Sequence, residues 1–268
     1  MADRPTSMAD RFRLDGRAAI VTGAGRGIGA ACAVALAQMG ADVVISARSA
    51  EQLAEVAATI EGLGRRAVAV PADLSDLDAV PGLAEAAADT FGRIDIVVNN
   101  VGGTTPRPFM DTSVGFMARA FSFNVLTAHA LTKAAVPTML AGDGGSVINI
   151  SSAMGRLAGR GYAAYGTAKG ALSHWTELAA ADLAPRIRVN AIEVGSIATS
   201  ALEIVTGDEA MSAEMAAGTL VGRIGDPDDI AATVVWLASP AAAYVTGKLV
   251  AVDGGLQRPN LDLGFPDL

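Results

Sequence analysis

Residues 18–31 read AAIVTGAGRGIGAA, and this stretch decides the fold. Ala18–Val21 is a short apolar run typical of a buried strand, and the alanine-rich residues from Ile28 to Met39 predict a helix. The glycines between them permit a tight turn and let backbone N–H groups and the helix N-terminus approach a pyrophosphate group. Because a strand precedes this turn and a helix follows it, a dinucleotide site is favoured over an ordinary turn. Its predicted binding residues are Gly23, Gly25, Arg26, Gly27, Ile28 and Gly29.

Short apolar runs alternate with helical patterns along the rest of the chain. The predicted strands are Ala18–Val21, Val43–Ser46, Ala67–Val70, Ile94–Asn99, Ser146–Ile150, Arg188–Val194 and Lys248–Val252. The predicted helices are Ile28–Met39, Glu51–Glu61, Leu77–Phe91, Thr112–Leu140, Tyr162–Leu183 and Asp226–Ala238. Continuous apolar strands separated by helices indicate a parallel sheet covered on both faces. We therefore predict a single-domain α/β doubly wound Rossmann fold with a seven-stranded sheet over residues 15–268, after an N-terminal extension at 1–14.

Composition excludes several classes of protein. Of the 268 residues, 51% are hydrophobic and 18% are charged, which is incompatible with intrinsic disorder. The net charge of −8 argues against nucleic acid and anionic membranes as partners. Cys32 is the one cysteine, so no intrachain disulfide and no zinc site of clustered cysteines is expected, and we predict no bound metal. The charged N-terminus lacks the apolar core of a signal peptide, which predicts a cytoplasmic protein.

The end of the second strand indicates which dinucleotide binds. NAD sites usually place a carboxylate there for the ribose 2′-hydroxyl, whereas an arginine suits a 2′-phosphate. Asp42 precedes the strand and so lies at the wrong end, and the strand exits through Ala47 and Arg48. Arg48, together with Arg26 in the glycine turn, favours NADP(H) over NAD(H). The alternative is that both are solvated surface arginines.

Two Tyr-x-x-x-Lys pairs occur, at Tyr165–Lys169 and Tyr244–Lys248. Residues four apart share one face of a helix, so an ammonium group can lie near a phenol and lower its pKa. Tyr165 lies in an uninterrupted helical pattern, whereas Gly247 breaks the second pair. Tyr165 is therefore the candidate acid–base residue, and Tyr244 is expected to be a packing residue.

Polar residues also follow two other predicted strands. Asn99-Asn100-Val101-Gly102 ends the fourth strand, and Asn149-Ile150-Ser151-Ser152 ends the fifth. Open parallel sheets bind their ligands at the carboxyl ends of the strands. These segments are therefore expected to meet the glycine turn at one edge of the sheet.

Together these motifs resemble the short-chain dehydrogenase/reductase family along nearly the whole chain. Gly23, Gly27 and Gly29 match the family's glycine motif, and Asn99–Gly102 matches its Asn-Asn-Ala-Gly with Val101 in place of alanine. The resemblance implies a catalytic tetrad, which maps onto Asn124, Ser152, Tyr165 and Lys169. It also implies further cofactor contacts, which map onto Asp73, Leu74, Asn100, Gly102, Gly195, Ile197 and Thr199.

One segment departs from the family's pattern. The usual Pro-Gly after the sixth strand is replaced in Glu193-Val194-Gly195, so we expect this wall of the nicotinamide pocket to differ.

The implied reaction interconverts a secondary alcohol and a ketone with a nicotinamide cofactor. In it Tyr165 exchanges a proton with the substrate oxygen, and Lys169 lowers the tyrosine pKa and holds the nicotinamide ribose. The resemblance further implies that Ser152 hydrogen-bonds the carbonyl oxygen and that Asn124 orders a proton-relay water. Two other classes remain open: a non-catalytic NADP-sensing Rossmann protein, which has no need of these side chains, and a methyltransferase.

The substrate is expected to be a hydrophobic ketone or alcohol. Residues 200–223 form an apolar segment that could act as a lid, with Leu202, Ile204, Val205, Met211, Met215, Leu220 and Val221. An amphipathic helix packed on the core would explain this segment equally well. Residues 101–109 and 196–202 resemble bacterial hydroxysteroid dehydrogenases. The alternative is a 3-oxoacyl-carrier-protein reductase, which is disfavoured because Ala141–Gly145 lacks a basic run, although Arg186 keeps one possible contact.

The resemblance also implies a homotetramer, with an interface that includes helices Thr112–Leu140 and Tyr162–Leu183. Small alanines and separate apolar positions on the second helix favour burial on more than one side. Neighbouring helices of the same subunit could provide that burial instead. The apolar segment Gly254–Leu268 could likewise be buried at a subunit boundary.

Overall fold

The computed structural model describes residues 7–202, 207–261 and 264–265. One parallel sheet runs through the molecule in the order β3-β2-β1-β4-β5-β6-β7. The strands are β1 (Ala18–Thr22), β2 (Asp42–Ala47), β3 (Ala67–Pro71), β4 (Ile96–Asn99), β5 (Gly145–Ser152), β6 (Ile187–Val194) and β7 (Leu249–Val252). Strands β2 and β3 are added on one side of β1, and β4 to β7 are added on the other side. The connections that follow β1 and β4 therefore diverge, which leaves a crevice at the carboxyl ends of these two strands.

Helices cover both faces of this sheet, which confirms the predicted Rossmann fold. They are α1 (Gly27–Gln38), α2 (Ala50–Gly62), α3 (Gly82–Phe91), α4 (Val114–Phe121), α5 (Thr127–Ala141), α6 (Ala163–Leu183), α7 (Glu209–Ala217) and α8 (Pro227–Ala238). Successive strand residues point to opposite faces. Val21 and Ile45 therefore pack against α1, α2 and α8, whereas Ile20 and Val44 pack against α3, α5 and α6.

The N-terminal residues that the structure describes lie against this core. Ala9–Phe12 form a short 3₁₀ turn, and Arg11 donates a hydrogen bond to the carbonyl of Pro240. Leu14 is buried, and its N–H donates to the carbonyl of Met39. Packing on the core thus begins no later than Leu14.

Two predicted helices differ from the observed ones. The helix predicted from Leu77 begins at Gly82, because Pro81 has no N–H to donate to the carbonyl of Leu77. The helix predicted over Thr112–Leu140 is two helices, α4 and α5, joined by a π-helical turn at Ser122–Leu126. Such turns insert an extra residue into a helix and often occur at functional sites. This turn carries Asn124.

No helix within the described ranges combines the length and the apolar character needed to cross a bilayer.

A buried acid ties together the amino edge of the sheet. Asp95, directly before β4, accepts hydrogen bonds from the guanidinium groups of Arg17 and Arg93 and from the N–H of Ala18. Burial on its own would raise the pKa of Asp95, but the hydrogen bonds from Arg93, Ala18 and Arg17 outweigh it and bring the pKa below its usual value. The ionised carboxylate therefore stabilises the fold.

We expect Asp95→Ala to lower the free energy of unfolding by about 3 kcal/mol near neutral pH, because it leaves the Ala18 N–H and two arginines without their acceptor. Since folding lowers the pKa, this contribution is present above the unfolded value of about 3.9 and is lost as the pH falls below it. Urea unfolding followed by circular dichroism measures both effects. Asp15→Ala, at an exposed pair with Arg13, is the control and should change little. Equal stability of Asp95→Ala and the unmutated protein near neutral pH would contradict the assignment.

Candidate active site

A cleft of about 1150 Å³ opens at the carboxyl ends of the strands. It brings together residues that the sequence distributes over almost 180 positions between the glycine turn and the segment after β6. The predicted site residues that line it are Gly23, Gly25, Arg26, Gly27, Ile28, Gly29, Arg48, Asp73, Leu74, Asn100, Gly102, Ser152, Tyr165, Lys169, Gly195, Ile197 and Thr199. The remaining predicted residue, Asn124, is buried next to the cleft.

The glycine turn can approach a ligand because side chains are excluded from it. Gly23 and Gly27 have φ angles of 64° and 56°, which L-residues rarely adopt. A Cβ on Gly29 would stand 2.2 Å from the carbonyl oxygen of Gly23, so only glycine permits this contact. Helix α1 begins at Gly27, and its first N–H groups have no partner within the helix. Turn and helix together fit a pyrophosphate.

Asn100 fixes the glycine turn against β4. Its Nδ2 donates to the carbonyls of Thr22 and Gly23 at 2.9 and 3.2 Å. The Thr22 hydroxyl in return accepts the N–H groups of Asn100 and Val101. The two sides of the crevice are therefore held at a fixed spacing.

Two arginines near the end of β2 and in the glycine turn also line the cleft. Arg26 and Arg48 are both exposed on the cleft. Asp42 lies at the opposite end of β2, as predicted, where its carboxylate accepts hydrogen bonds from Arg65 and Arg66 at 2.5 and 2.7 Å. It is therefore unable to reach a ligand at the carboxyl edge of the sheet.

Asp73 and Leu74 follow β3. The Asp73 carboxylate accepts the N–H and the hydroxyl of Ser75, which hold its pKa below the usual value, with the N–H the larger influence. Leu74 is buried, and its carbonyl accepts the hydroxyl of Thr127. Gln52, which no sequence motif indicated, also lines the cleft, and its Oε1 would lie 2.9 Å from a Cβ on Gly25. Its place one turn into α2 after the Ser49 cap carries no signal of ligand contact.

Tyr165, Lys169 and Ser152 converge in the middle of the cleft. Tyr165 and Lys169 are one turn apart on α6, and the Lys169 Nζ lies 5.8 Å from the centre of the Tyr165 ring. The same Nζ donates to the carbonyl of Ile150 at 2.7 Å. Ser152, the last residue of β5, hydrogen-bonds the Tyr165 phenol. A phenol, a hydroxyl and a buried cation thus share one location.

Burial dominates the protonation of these groups. It raises the pKa of Tyr165, an effect that Tyr162 reinforces and the hydrogen bond with Ser152 partly opposes. Burial also lowers the pKa of Lys169 to about 8. The expected lowering of the Tyr165 pKa by Lys169 is not found: burial raises this pKa, and the opposing influence comes from Ser152.

Neighbouring Ser151 and Ser152 have different partners. The Ser151 hydroxyl donates to the carbonyl of Lys169 and pairs with the Ser173 hydroxyl at 2.9 Å, which fixes β5 to α6. The Ser152 hydroxyl instead accepts the N–H of Met154 and adjoins Tyr165. Ser152 is therefore the serine that can reach a ligand atom held by the tyrosine.

Asn124 supports the loop after β4. Its Oδ1 accepts the N–H of Gly103 at 2.8 Å, and its Nδ2 donates to the carbonyls of Gly103 and Ala120. A Cβ on Gly102 would lie 2.6 Å from the Asn124 Oδ1 and 2.8 Å from the Lys169 Nζ. Gly102 thus lies between the buried amide and the buried ammonium, which leaves no room for a side chain there.

The second Tyr-x-x-x-Lys pair does not contribute to the cleft. Tyr244 is fully exposed, so the expected packing role is wrong for this chain. Gly247, with a φ of 65°, interrupts the path between Tyr244 and Lys248.

The segment Glu193-Val194-Gly195, which departs from the family pattern, is stabilised by an ion pair with Arg156. Val194 and Gly195 line the cleft, whereas Glu193 lies outside that lining and accepts a hydrogen bond from Arg156 Nε at 3.0 Å. Arg156 also pairs with Asp253, directly after β7. A single guanidinium thus joins the loop after Ser152 to the ends of two strands, and the sequence alone gave no indication of this contact.

The apolar segment at 200–223 divides between the cleft and the surface. Leu202 and Met215 line the cleft, whereas Leu220 and Val221 are 80% and 62% exposed. Ile204 and Val205 lie outside the described residues. The C-terminal segment, for which the sequence indicated no contact with the cleft, also lines it through Leu256, Pro259, Asn260 and Leu261. Leu256 is buried within its own chain, so no subunit boundary is needed to cover it; Leu263 and Leu268 lie outside the described residues.

Metal ligands do not cluster in the described ranges, where no group of three or more His, Cys, Asp or Glu side chains is placed to bind an ion.

Comparison with known proteins agrees with this geometry. Residues 23–257 match the family described as Enoyl-(Acyl carrier protein) reductase. An uncharacterized oxidoreductase of Mycobacterium tuberculosis, MT0954, is 59% identical over 97% of this chain and 99% of its own length. The 7α-hydroxysteroid dehydrogenase of Escherichia coli K12 is 38% identical over 92% of this chain and 96% of its own.

A solved structure supports the same relationship. It is a 7α-hydroxysteroid dehydrogenase in complex with NADH and 7-oxo glycochenodeoxycholic acid, and it is similar to this chain with a TM-score of 0.90 at 36% identity. The similarity covers 94% of this chain and 99% of that one. The chain therefore belongs to the short-chain dehydrogenase/reductase family of oxidoreductases.

Proposed function

We propose that this protein is a cytoplasmic, NADP(H)-dependent enzyme that interconverts a secondary alcohol and a ketone on a hydrophobic, hydroxysteroid-like substrate. The observation that carries the proposal is the convergence of the Tyr165 phenol, the Ser152 hydroxyl and the Lys169 ammonium in one cleft. A non-catalytic NADP sensor has no use for this combination, and neither has a methyltransferase. The apolar side chains Leu202 and Met215 in the same cleft favour a hydrophobic substrate.

The chain's residues divide the task of binding the dinucleotide. The turn Gly23–Gly29 and the N-terminus of α1 would hold the pyrophosphate, and Asp73 and Leu74 would border the adenine. Ile197 and Thr199 would hold the nicotinamide amide, and Lys169 would bind the nicotinamide ribose. When bound, the nicotinamide supplies or accepts the hydride.

Tyr165 moves the proton of the reaction. Its raised pKa keeps the phenol protonated at neutral pH, which is the form that donates to a ketone oxygen. Ser152 donates a hydrogen bond to the same oxygen and stabilises the charge that develops on it. The Lys169 ammonium adds a fixed positive charge nearby. Asn124 fixes the loop at Gly103, and its Oδ1 is close enough to Lys169, across Gly102, to order a relay water.

The preference for NADP(H) rests on residues of this chain alone, since the similar 7α-hydroxysteroid dehydrogenase was solved with NADH. Arg26 and Arg48 are exposed on the cleft where a 2′-phosphate would lie. The carboxylate of Asp42 is engaged at the other end of β2.

A 3-oxoacyl-carrier-protein reductase is the second candidate, since one such enzyme from Synechocystis is 37% identical to this chain. It needs a basic surface for an acidic carrier protein. Arg186, the one candidate contact near Ala141–Gly145, donates instead to the carbonyls of Leu140 and Gly142. We therefore favour a free hydrophobic substrate.

The proposed assembly is a homotetramer with α4, α5 and α6 at an interface. Val114 on α4 and Leu178 on α6 are 86% and 54% exposed, so both side chains are accessible to a second subunit. A shallow apolar hollow of about 300 Å³ lies between the two helices and is lined by Val114, Met117, Ala118, Phe121, Ala164, Thr167 and Ala168.

Tyr165→Phe is expected to lower turnover of a ketone by at least about 100-fold, because it removes the proton that Tyr165 donates. Binding of NADPH, measured by the change in its fluorescence, should survive. Tyr244→Phe, at the fully exposed second tyrosine, is the matched control and should keep full activity. Unchanged kcat in Tyr165→Phe would refute the mechanism.

Arg48→Asp is expected to weaken NADPH binding about tenfold to a hundredfold, because a charge-assisted contact with the 2′-phosphate is lost. NADH binding should be unaffected or improved. Arg13→Asp makes the same change in net charge at the exposed N-terminal region and should leave the NADPH-to-NADH ratio of kcat/KM unchanged. Equal kcat/KM for both cofactors in the unmutated enzyme would refute the assignment.

Light scattering is expected to give a particle of about four times the chain mass of 27.0 kDa. Val114→Glu and Leu178→Glu should lower the mass by placing charges in a buried interface, whereas Leu63→Glu, at the C-terminal end of α2, should not. A 27.0 kDa monomer for the unmutated protein would exclude the tetramer.

A further inference from the structure

The C-terminal segment lies across the end of the cleft that is lined by the segment after β6. We define the C-terminal wall as residues 256–261, of which Leu256, Pro259, Asn260 and Leu261 line the cleft together with Tyr165 and Ser152. These residues follow β7, the last strand of the sheet, so nothing in the sheet itself determines their path. Their position depends on contacts outside the sheet.

A single amide supplies two of those contacts. Asn260 Oδ1 accepts the Ser196 hydroxyl at 2.9 Å, and Asn260 Nδ2 donates to the carbonyl of Met215 at 2.8 Å. Ser196 follows β6, and Met215 lies on α7, so the amide joins the C-terminal wall to both flanks of the segment at 200–223. The polar atoms of Asn260 therefore bond to protein atoms on both sides.

Close packing at two glycines supports the same path. A Cβ on Gly218, at the end of α7, would stand 2.5 Å from the Asn260 Cβ. A Cβ on Gly159 would lie 3.2 Å from the Pro259 Cγ and 2.9 Å from the ring of Tyr162. The C-terminal wall thus contacts α7 on one side and the loop before α6 on the other. That loop leads directly into the helix that carries Tyr165.

A further contact follows the wall. Arg160, in the loop before α6, donates to the carbonyl of Phe265 at 3.0 Å. The described residues beyond the wall are therefore also attached near the catalytic helix.

The surface that the wall offers to a ligand is hydrocarbon. Leu256, Pro259 and Leu261 are apolar, as are Leu202 and Met215 in the same cleft. The Asn260 amide uses its polar atoms to bond Ser196 and Met215. It therefore adds little polar surface that would favour water over an apolar ligand. An apolar group buried here gains affinity in proportion to the area that it removes from water.

We propose that Asn260 is a positioning residue that latches the C-terminal wall across the cleft, and that the wall selects ketones whose portion remote from the carbonyl is bulky and apolar. This inference rests on the proposed ketone reductase function. It assigns substrate selection to a segment outside the sheet and outside the catalytic groups.

Two variants release the latch by different means. Asn260→Ala removes both hydrogen bonds, and Gly218→Ala forces a methyl group against the Asn260 Cβ. Gln257→Ala is the matched control for the first, since the exposed Gln257 side chain bonds only to the carbonyl of Gly255 within the described chain. Gly62→Ala is the control for the second, because a Cβ there meets no atom within 4 Å.

Hydrogen exchange of the full-length protein tests the latch without any need for activity. Backbone amides of residues 211–218 and 256–261 should exchange about tenfold faster in both latch variants than in the unmutated protein. Both controls should match the unmutated protein. Unchanged exchange in Asn260→Ala would overturn the latch.

Selection is tested with a bicyclic ketone, decalone, and with cyclohexanone as the small reference. The unmutated enzyme should favour decalone, and the ratio of the two kcat/KM values should fall about tenfold in both latch variants. In the controls Gln257→Ala and Gly62→Ala the ratio, the NADPH affinity and kcat for cyclohexanone should all match the unmutated enzyme. Faster exchange with an unchanged ratio would overturn the selective role and leave the latch intact.

Calorimetric binding of the same two ketones in the presence of NADP⁺ separates this inference from the proposed function. Failure to reduce either ketone would refute the proposed function. The ratio of the dissociation constants for decalone and cyclohexanone, compared across the four variants, would still show whether the wall selects bulky apolar ketones. A protein that binds decalone no better than cyclohexanone overturns the selective role.

Discussion

The contact between Gly29 and the carbonyl of Gly23 is the constraint on which the rest of the site depends. A Cβ on Gly29 would lie 2.2 Å from the carbonyl oxygen of Gly23, so no side chain fits there. Helix α1 can therefore start directly after β1 only with glycine at this position. That start directs the first N–H groups of α1 into the crevice. Asn100 then bonds the same turn to the end of β4, which sets the width of the crevice. The remaining groups of the cleft are arranged around an opening of fixed size.

The two edges of the sheet use polar residues for different purposes. At the amino edge, Asp42 and Asp95 are buried among arginines and accept hydrogen bonds from those side chains and from backbone N–H groups. At the carboxyl edge, Ser152, Tyr165 and Lys169 line an open cleft. Parallel strands produce this division, because each loop that connects a strand to the following helix lies at the carboxyl edge of the sheet. Stability and chemistry can therefore change independently in this fold.

Local pattern was enough to predict the sheet and to bring most of the site residues to one edge. Alternation of apolar runs with helical periods identified all seven strands. Strands of a parallel sheet are buried on both faces, so they consist of continuous apolar residues that stand out in the sequence. Pattern was insufficient wherever the outcome depends on tertiary contacts. Asn124, in the π-helical turn, bonds to Gly103, and the contacts of Asn260 and Arg156 join segments still farther apart in sequence. The pKa of Tyr165 likewise reflects burial by many residues, whereas spacing alone suggested only the influence of Lys169.

Arg156 is shared by two acids, and this limits how the protein can evolve. Glu193 and Asp253 are both nearly inaccessible to water and both bond to the one guanidinium. A mutation that removed only Arg156 would leave two mutually repelling carboxylates beside the catalytic loop, whereas loss of either acid alone would still leave the arginine a partner. Descendants of this sequence should therefore lose an acid before they lose the arginine, so the order in which these three residues can mutate is constrained.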